Sequence, residues 1–133
     1  MCMNAGKCKH VLIADDSVTV RQVLKRYLSN RGDVVVCGEA VNGREAVQRA
    51  MALKPDLVLL DLAMPELNGA EVASVLKGAM PETRIILFTM YRENVGKYLS
   101  SALGIDAVLS KPDGVTKLAA AIDSALGQIS DPT

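Results

Sequence analysis

The sequence has few of the residues with which proteins bind nucleic acids or cross membranes. It has no Trp, one Phe, three Tyr and one His in 133 residues, and its 15 basic and 15 acidic residues give a formal net charge of zero. Proteins that bind nucleic acid through bulk charge carry a basic excess, and base stacking needs aromatic side chains. No apolar run is long enough to cross a bilayer. The composition therefore predicts no direct nucleic-acid binding and no membrane location.

Cysteine is scarce as well. The number of cysteines is odd, and no two of them have the spacing of a metal knuckle: Cys2, Cys8 and Cys37. They predict neither a disulfide framework nor a zinc site. The first residues also lack the apolar core of a signal peptide. Free thiols in a reducing environment are the simpler interpretation, and a cytoplasmic location is expected.

The length and the hydrophobic content predict one folded domain. Half of the residues are hydrophobic, which is enough for a sizeable core. A chain of 133 residues leaves no room for a second domain of ordinary size. We expect a flexible tail over 1–9, the domain over 10–128, and a tail or the start of a linker over 129–133.

Apolar runs alternate with helical patterns five times along the chain. The runs predict buried strands at 10–14, 34–37, 57–60, 85–88 and 105–109. Capping residues and apolar residues at helical spacing predict the helices: Ser17 to Asn30, Asn42 to Leu53, 70–79, 92–102 and Val115 to Leu126. Such alternation implies an α/β fold with a doubly wound, five-stranded parallel sheet, (βα)5, and helices on both faces.

Polar residues stand where the predicted strands end. Asp15 and Asp16 follow the first strand, Asp61 the third, Thr89 the fourth and Lys111 the fifth. In a parallel sheet these ends meet at one edge, where functional residues gather. Each residue alone has an ordinary alternative, such as a helix cap, a turn acid, a structural hydroxyl or a solvated lysine. Their joint placement at the ends of different strands favours a single site.

The predicted cluster has the chemistry of phosphoryl transfer. Three close carboxylates repel one another, and a hard divalent cation such as Mg²⁺ offsets that repulsion with oxygen ligands. Lys111 supplies a second, fixed positive charge for the phosphoryl oxygens. A carboxylate can act as the nucleophile and form an acyl phosphate. Asp61 is the best candidate because it stands alone after the central strand, between the acid pair and the lysine.

The motifs resemble the receiver domain of bacterial response regulators. The matching segments are 11–17 (Val-Leu-Ile-Ala-Asp-Asp-Ser), 55–65 (Pro-Asp-Leu-Val-Leu-Leu-Asp-Leu-Ala-Met-Pro), Asn68-Gly69 and Lys111-Pro112. The resemblance covers about 9–128 and implies a flavodoxin-like strand order 2-1-3-4-5. It also implies a cis peptide before Pro112.

The resemblance assigns roles to individual residues. Asp61 would accept a phosphoryl group from a sensor histidine kinase or a phosphotransfer protein. The implied Mg²⁺ ligands (Mn²⁺ is an alternative) are carboxylates and one carbonyl: Asp15 through water, Asp16, Asp61 and the backbone oxygen of Ala63. Thr89 and Lys111 would contact the phosphoryl group. Such a domain is a phosphoacceptor switch with at most self-phosphotransfer and autodephosphorylation activity, not a conventional enzyme.

Three positions depart from the family pattern. Val108 stands where the family usually has a switch aromatic, so the usual ring rotation behind Thr89 cannot occur. Met90 stands where the family often has Ala or Gly, and its bulk would narrow access to Asp61. Ala63 cannot hydrogen-bond the attacking water with its side chain, while Tyr91 would cover the site. These departures leave the lifetime of the phosphorylated form and the transmission of the signal open.

The sequence also indicates which surface would bind a partner. We expect the helix at 92–102, the fifth strand and the last helix to bind a downstream protein or output domain, because that helix has few apolar anchors and contains Gly96. A phosphorylation-dependent homodimer is a further alternative.

The alternative functions are a non-switching interaction module, an N-terminal fragment of a DNA-binding regulator, and a phosphatase, which would need a second Asp where Ala63 stands.

Overall fold

The computed structural model describes residues 8–61, 69–89, 107–110 and 114–127. The strands are β1 Lys9–Ala14, β2 Val34–Ala40, β3 Leu57–Asp61, β4 Arg84–Thr89 and β5 Ala107–Ser110. The helices are α1 Val18–Ser29, α2 Gly43–Leu53, α3 Gly69–Ala79 and α4 Gly114–Gly127. None of the described helices is both long and apolar enough to span a bilayer.

The strands form one parallel sheet with the order β2-β1-β3-β4-β5. The parallel α/β architecture is therefore confirmed. The helix predicted at 92–102 and the cis peptide expected before Pro112 lie outside the described residues, as do most of both predicted tails. The prediction of five complete βα units is therefore tested only for the units that the structure describes.

Predicted caps start α1 and α2. Ser17 Oγ accepts a hydrogen bond from the backbone N–H of Val20 at 3.3 Å, and Asn42 Oδ1 accepts one from the N–H of Glu45 at 2.8 Å. The Glu45 carboxylate in turn accepts from the N–H of Val41 at 3.1 Å. These bonds satisfy amide groups that have no partner within the helix. They fix where each helix leaves the carboxyl edge of the sheet.

The sheet separates two apolar cores. Along β3, Leu57 and Leu59 belong to one core, whereas Val58 and Leu60 belong to the other, as the alternation of side chains along a strand requires. The first core also takes its residues from α1 and α4, and the second from α2 and α3. Helices therefore cover both faces, and the buried polar residues of the described segments, Asp15, Asp61 and Thr83, lie at or next to the ends of strands.

The cysteine prediction needs a correction. Cys8 is disulfide-bonded, whereas we expected free thiols. Spacing in the sequence does not reveal which thiols the folded chain brings together, and that distance decides whether a disulfide forms. Cys37 is a free thiol, and its pKa is raised chiefly by burial.

Arg31 joins the end of α1 to β2 and to α4. Its guanidinium donates to both carboxylate oxygens of Asp33, at 2.9 and 3.0 Å, and to Asp123 of α4 at 2.7 Å. The chain turns at Gly32 with φ of 83°, a conformation that suits glycine. The hydrogen bond from Arg31 lowers the pKa of Asp33 below its usual range.

Because of the Arg31–Asp33 ion pair, we expect part of the free energy of unfolding to depend on pH. Because the pKa of Asp33 is lower in the folded chain, its stabilisation is complete above the unfolded pKa, about 3.9, and is lost as pH falls through the folded pKa. We expect Asp33→Asn to reduce the free energy of unfolding by about 0.5 kcal/mol at pH 7, since the side chain is 53% exposed.

Urea denaturation at a series of pH values measures this effect. The difference between Asp33→Asn and the wild type should shrink towards zero in acid. In an Arg31→Gln background the same substitution should have little effect at any pH. A cost of Asp33→Asn that is equal at neutral and acid pH would contradict the assignment.

Candidate metal and phosphoryl site

Three aspartates meet at the carboxyl edge of the sheet. Asp61 is the last residue of β3, and Asp15 and Asp16 directly follow β1, its neighbour in the sheet. One carboxylate oxygen from each lies within 4.8 Å of those of the other two. The structure therefore brings together the three carboxylates that the sequence placed at strand ends.

The three carboxylates differ in their exposure. Asp15 is 2% and Asp61 3% exposed, while Asp16 is exposed. At an effective dielectric constant of about 20, two charges at this separation repel by roughly 3 kcal/mol. A cation between them removes that cost. Oxygen ligands alone, with an exposed side for water, fit a hard divalent ion such as Mg²⁺.

Backbone hydrogen bonds hold the loop that carries the acid pair. The N–H of Asp15 donates to the carbonyl of Ala40 at 3.0 Å, which extends the β1–β2 ladder to the edge of the sheet. Asp15 Oδ1 accepts from the N–H of Ser17 at 2.8 Å, and Ser17 caps α1. The Asp15 backbone is thereby bonded to the sheet, and its carboxylate to the residue that caps α1.

The remaining predicted residues are described only in part. Thr89 ends β4 and pairs in register with Ser110, the end of β5, while Asp61 pairs with Phe88. The backbone of Thr89 thus lies at the same edge as the acid cluster. Val108 pairs with Leu87, two residues before the end of β5. Lys111, Ala63, Met90 and Tyr91 lie outside the described residues.

The sequence interpretation missed Arg21, which contacts Asp15, and Glu39, which contacts Arg21. Arg21 of α1 donates from Nη1 to the backbone oxygen of Asp15 at 2.7 Å and from Nε to Glu39 Oε1 at 3.0 Å. Arg21 sits among the apolar positions of a helix that packs on the sheet, so its place in the pattern gave a weak indication. A hydrogen bond to a backbone carbonyl does not depend on the side chain of the residue that accepts it, so no sequence motif indicates it.

The acid cluster lies between β1 and β3, where the strand order changes direction. In open α/β sheets this position is the usual ligand site. The molecule is thus a doubly wound α/β domain with a carboxylate cluster at its switch point. Residues 11–123 match the family model described as the response regulator receiver domain. The chain belongs to that family and is the receiver domain of a two-component response regulator.

Known relatives agree with this assignment. The response regulator protein VraR of Staphylococcus aureus is 34% identical over 112 residues, which are 84% of this chain and 54% of VraR. The chain thus spans about half the length of the curated relatives it matches. The response regulator domain of Thermotoga maritima CheB is 32% identical with a TM-score of 0.83, over 94% of this chain and 99% of that chain.

A further similar structure was solved in the presence of a phosphoryl analogue. It is the isolated receiver domain of RcsB from Salmonella enterica serovar Typhimurium, in the presence of the phosphomimetic BeF3⁻. It is 25% identical, with a TM-score of 0.82, over 91% of this chain and 89% of that chain. This chain therefore shares its fold with a domain that was studied with a mimic of the phosphorylated state.

Proposed function

We propose that the domain accepts a phosphoryl group on Asp61 in a reaction that depends on Mg²⁺. The observation that carries the proposal is the meeting of Asp15, Asp16 and Asp61 within 4.8 Å in a chain of the receiver family. The donor would be a sensor histidine kinase or a phosphotransfer protein. Mn²⁺ could replace Mg²⁺, because both accept oxygen ligands.

The position of Asp61 suits a nucleophile better than those of the other two acids. It ends the strand that lies between β1 and β4, so neighbouring strands supply groups on both of its sides. Asp15 already accepts a hydrogen bond from Ser17, and exposed Asp16 suits an ion that keeps part of its water shell. The family resemblance assigns the same roles.

The proposed step moves one phosphoryl group between two proteins. An Asp61 oxygen attacks phosphorus and forms a P–O bond, while the P–N bond to the donor histidine breaks and its electron pair stays on the imidazole. Asp15, Asp16, Asp61 and the Ala63 carbonyl would hold the Mg²⁺, which neutralises charge on the phosphoryl oxygens when bound. Thr89 and Lys111 would contact those oxygens, by resemblance.

The proposed consequence is a change in partner binding. Thr89 would shift towards the phosphoryl group, and the helix expected at 92–102, with β5 and α4, would form the output surface. Val108 in place of an aromatic residue excludes the usual ring rotation, and Met90 and Tyr91 would control access. The partner would be a downstream protein, an output domain or a second phosphorylated copy.

The location and limits of the domain form part of the same proposal. We place it in the cytoplasm, with the domain over 10–128 and a tail or linker over 129–133. VraR is about twice as long as the matched segment, which supports an output domain in the whole protein. Two alternatives retain support: an N-terminal fragment of a DNA-binding regulator, because the matched relatives are about twice as long, and a non-switching interaction module, because Val108 departs from the family pattern.

Phosphorylation by a small donor tests the proposal. Incubation with Mg²⁺ and acetyl phosphate should add one phosphate per chain by intact-protein mass spectrometry, and excess EDTA should prevent it. BeF3⁻ with Mg²⁺ should shift the amide resonances of residues 15–17 and 61. A chain that binds neither Mg²⁺ nor BeF3⁻ would contradict the proposal. A chain that binds both but shows no change in partner affinity would favour the interaction module.

A further inference from the structure

Arg21 connects three parts of the carboxyl edge. Its guanidinium bonds the backbone oxygen of Asp15 at 2.7 Å and Glu39 of β2 at 3.0 Å, and its side chain is only 12% exposed. Lys25, one turn further along α1, reaches the second oxygen of Glu39 at 2.9 Å. Hydrogen bonds from Lys25 and Arg21 keep the pKa of Glu39 below its usual range, so this glutamate is charged.

The bond to Asp15 fixes the peptide that joins the two metal-site acids. The carbonyl of Asp15 and the N–H of Asp16 share one planar peptide unit. Other groups of Asp15 are held by Ala40 and Ser17, whereas Asp16 is exposed. The direction in which the Asp16 side chain leaves the backbone therefore depends on this peptide plane, and Arg21 holds its oxygen.

We infer that Arg21, anchored by Glu39, is a positioning residue for the proposed Mg²⁺ site and presets the backbone that aims Asp16 at the ion. The inference rests on the proposed function. In this role Arg21 would touch neither the ion nor the phosphoryl group. Partners that orient metal ligands commonly change metal affinity by about 10- to 100-fold when removed. The planar guanidinium suits the task because it forms two directed bonds at once.

Lys25 provides a matched control on the same helix. It has the same charge and contacts the same glutamate, but the hydrogen bond to Asp15 is made by Arg21. Loss of a positive charge near the acids is common to Arg21→Ala and Lys25→Ala. Loss of the bond to the Asp15 carbonyl is specific to Arg21→Ala, so a comparison of the two separates geometry from charge.

Titration calorimetry with Mg²⁺ on the whole chain tests the inference. Arg21→Ala should weaken Mg²⁺ binding by about tenfold, and Lys25→Ala by less than about twofold. Arg21→Lys should recover part of the loss, since one ammonium can still donate to the carbonyl. Melting temperatures in EDTA report whether each variant is folded, and the Asp16 amide resonance should move in Arg21→Ala without Mg²⁺.

The outcomes distinguish the inference from the proposal beneath it. Wild-type chain that binds no Mg²⁺ overturns both. Wild type that binds Mg²⁺ while Arg21→Ala binds equally well, or while both variants lose affinity equally, overturns the positioning role alone. If Arg21→Ala does not fold, Arg21→Lys and Glu39→Gln decide, and each should weaken binding severalfold while remaining folded. Unchanged affinity in both would then refute the role.

Discussion

Asp61→Asn should abolish phosphorylation by acetyl phosphate and leave the domain folded. A side-chain amide is a far weaker nucleophile than a carboxylate, and an acyl phosphate cannot form on its nitrogen under these conditions. Asn has nearly the shape of Asp, so the pocket around this residue, 3% exposed, keeps its packing. The substitution also removes one of three mutually repelling charges, so the metal-free variant should be at least as stable as the wild type.

Asp56→Asn is a matched control for this experiment. Asp56 immediately precedes β3 and Asp61 ends it, so the two acids flank the same strand at opposite edges of the sheet. Asp56 accepts a hydrogen bond from the N–H of His10 at 2.7 Å and has no place in the acid cluster. Asp56→Asn should be labelled as fully as the wild type. Labelled Asp61→Asn would mean that another residue accepts the phosphate.

The sequence predicted the site well where an apolar strand is followed by acids. Val11 to Ala14 and Leu57 to Leu60 are fully apolar, and both runs are buried strands in the structure. The residues that follow such strands reach one edge of a parallel sheet by topology alone. Asp15, Asp16 and Asp61 could therefore be placed together without coordinates.

Two other features could not be predicted from the sequence, because they depend on contacts between distant parts of the chain and not on local periodicity. β2 continues to Ala40, beyond the predicted end at 37, since its pairing with β1 resumes after an irregularity in register between Val11 and Leu12. This edge strand tolerates Gly38 and Glu39 because it is paired on one side only. Glu39 then meets Arg21, a contact between residues 18 apart that no helix or strand period encodes.

The largest effect on stability should come from the first apolar core. Leu59 is 1% exposed at the middle of β3, and it belongs to the core that α1 and α4 cover. Truncation to Ala removes buried surface and leaves a cavity, so Leu59→Ala should lower the free energy of unfolding by about 3 kcal/mol. That is a large fraction of a typical domain stability of roughly 5–15 kcal/mol. Urea denaturation in EDTA measures it without a contribution from bound metal.

The two-sided architecture makes this prediction more specific. Val23 of α1 is 53% exposed, so Val23→Ala should change stability by less than about 0.5 kcal/mol. Leu76 of α3 lies in the opposite core, so the costs of Leu59→Ala and Leu76→Ala should add within about 0.5 kcal/mol. Leu28 shares the core of Leu59, and that pair should depart from additivity because the two cavities relax together. Strong coupling between Leu59 and Leu76, with none between Leu59 and Leu28, would contradict a sheet that separates two cores.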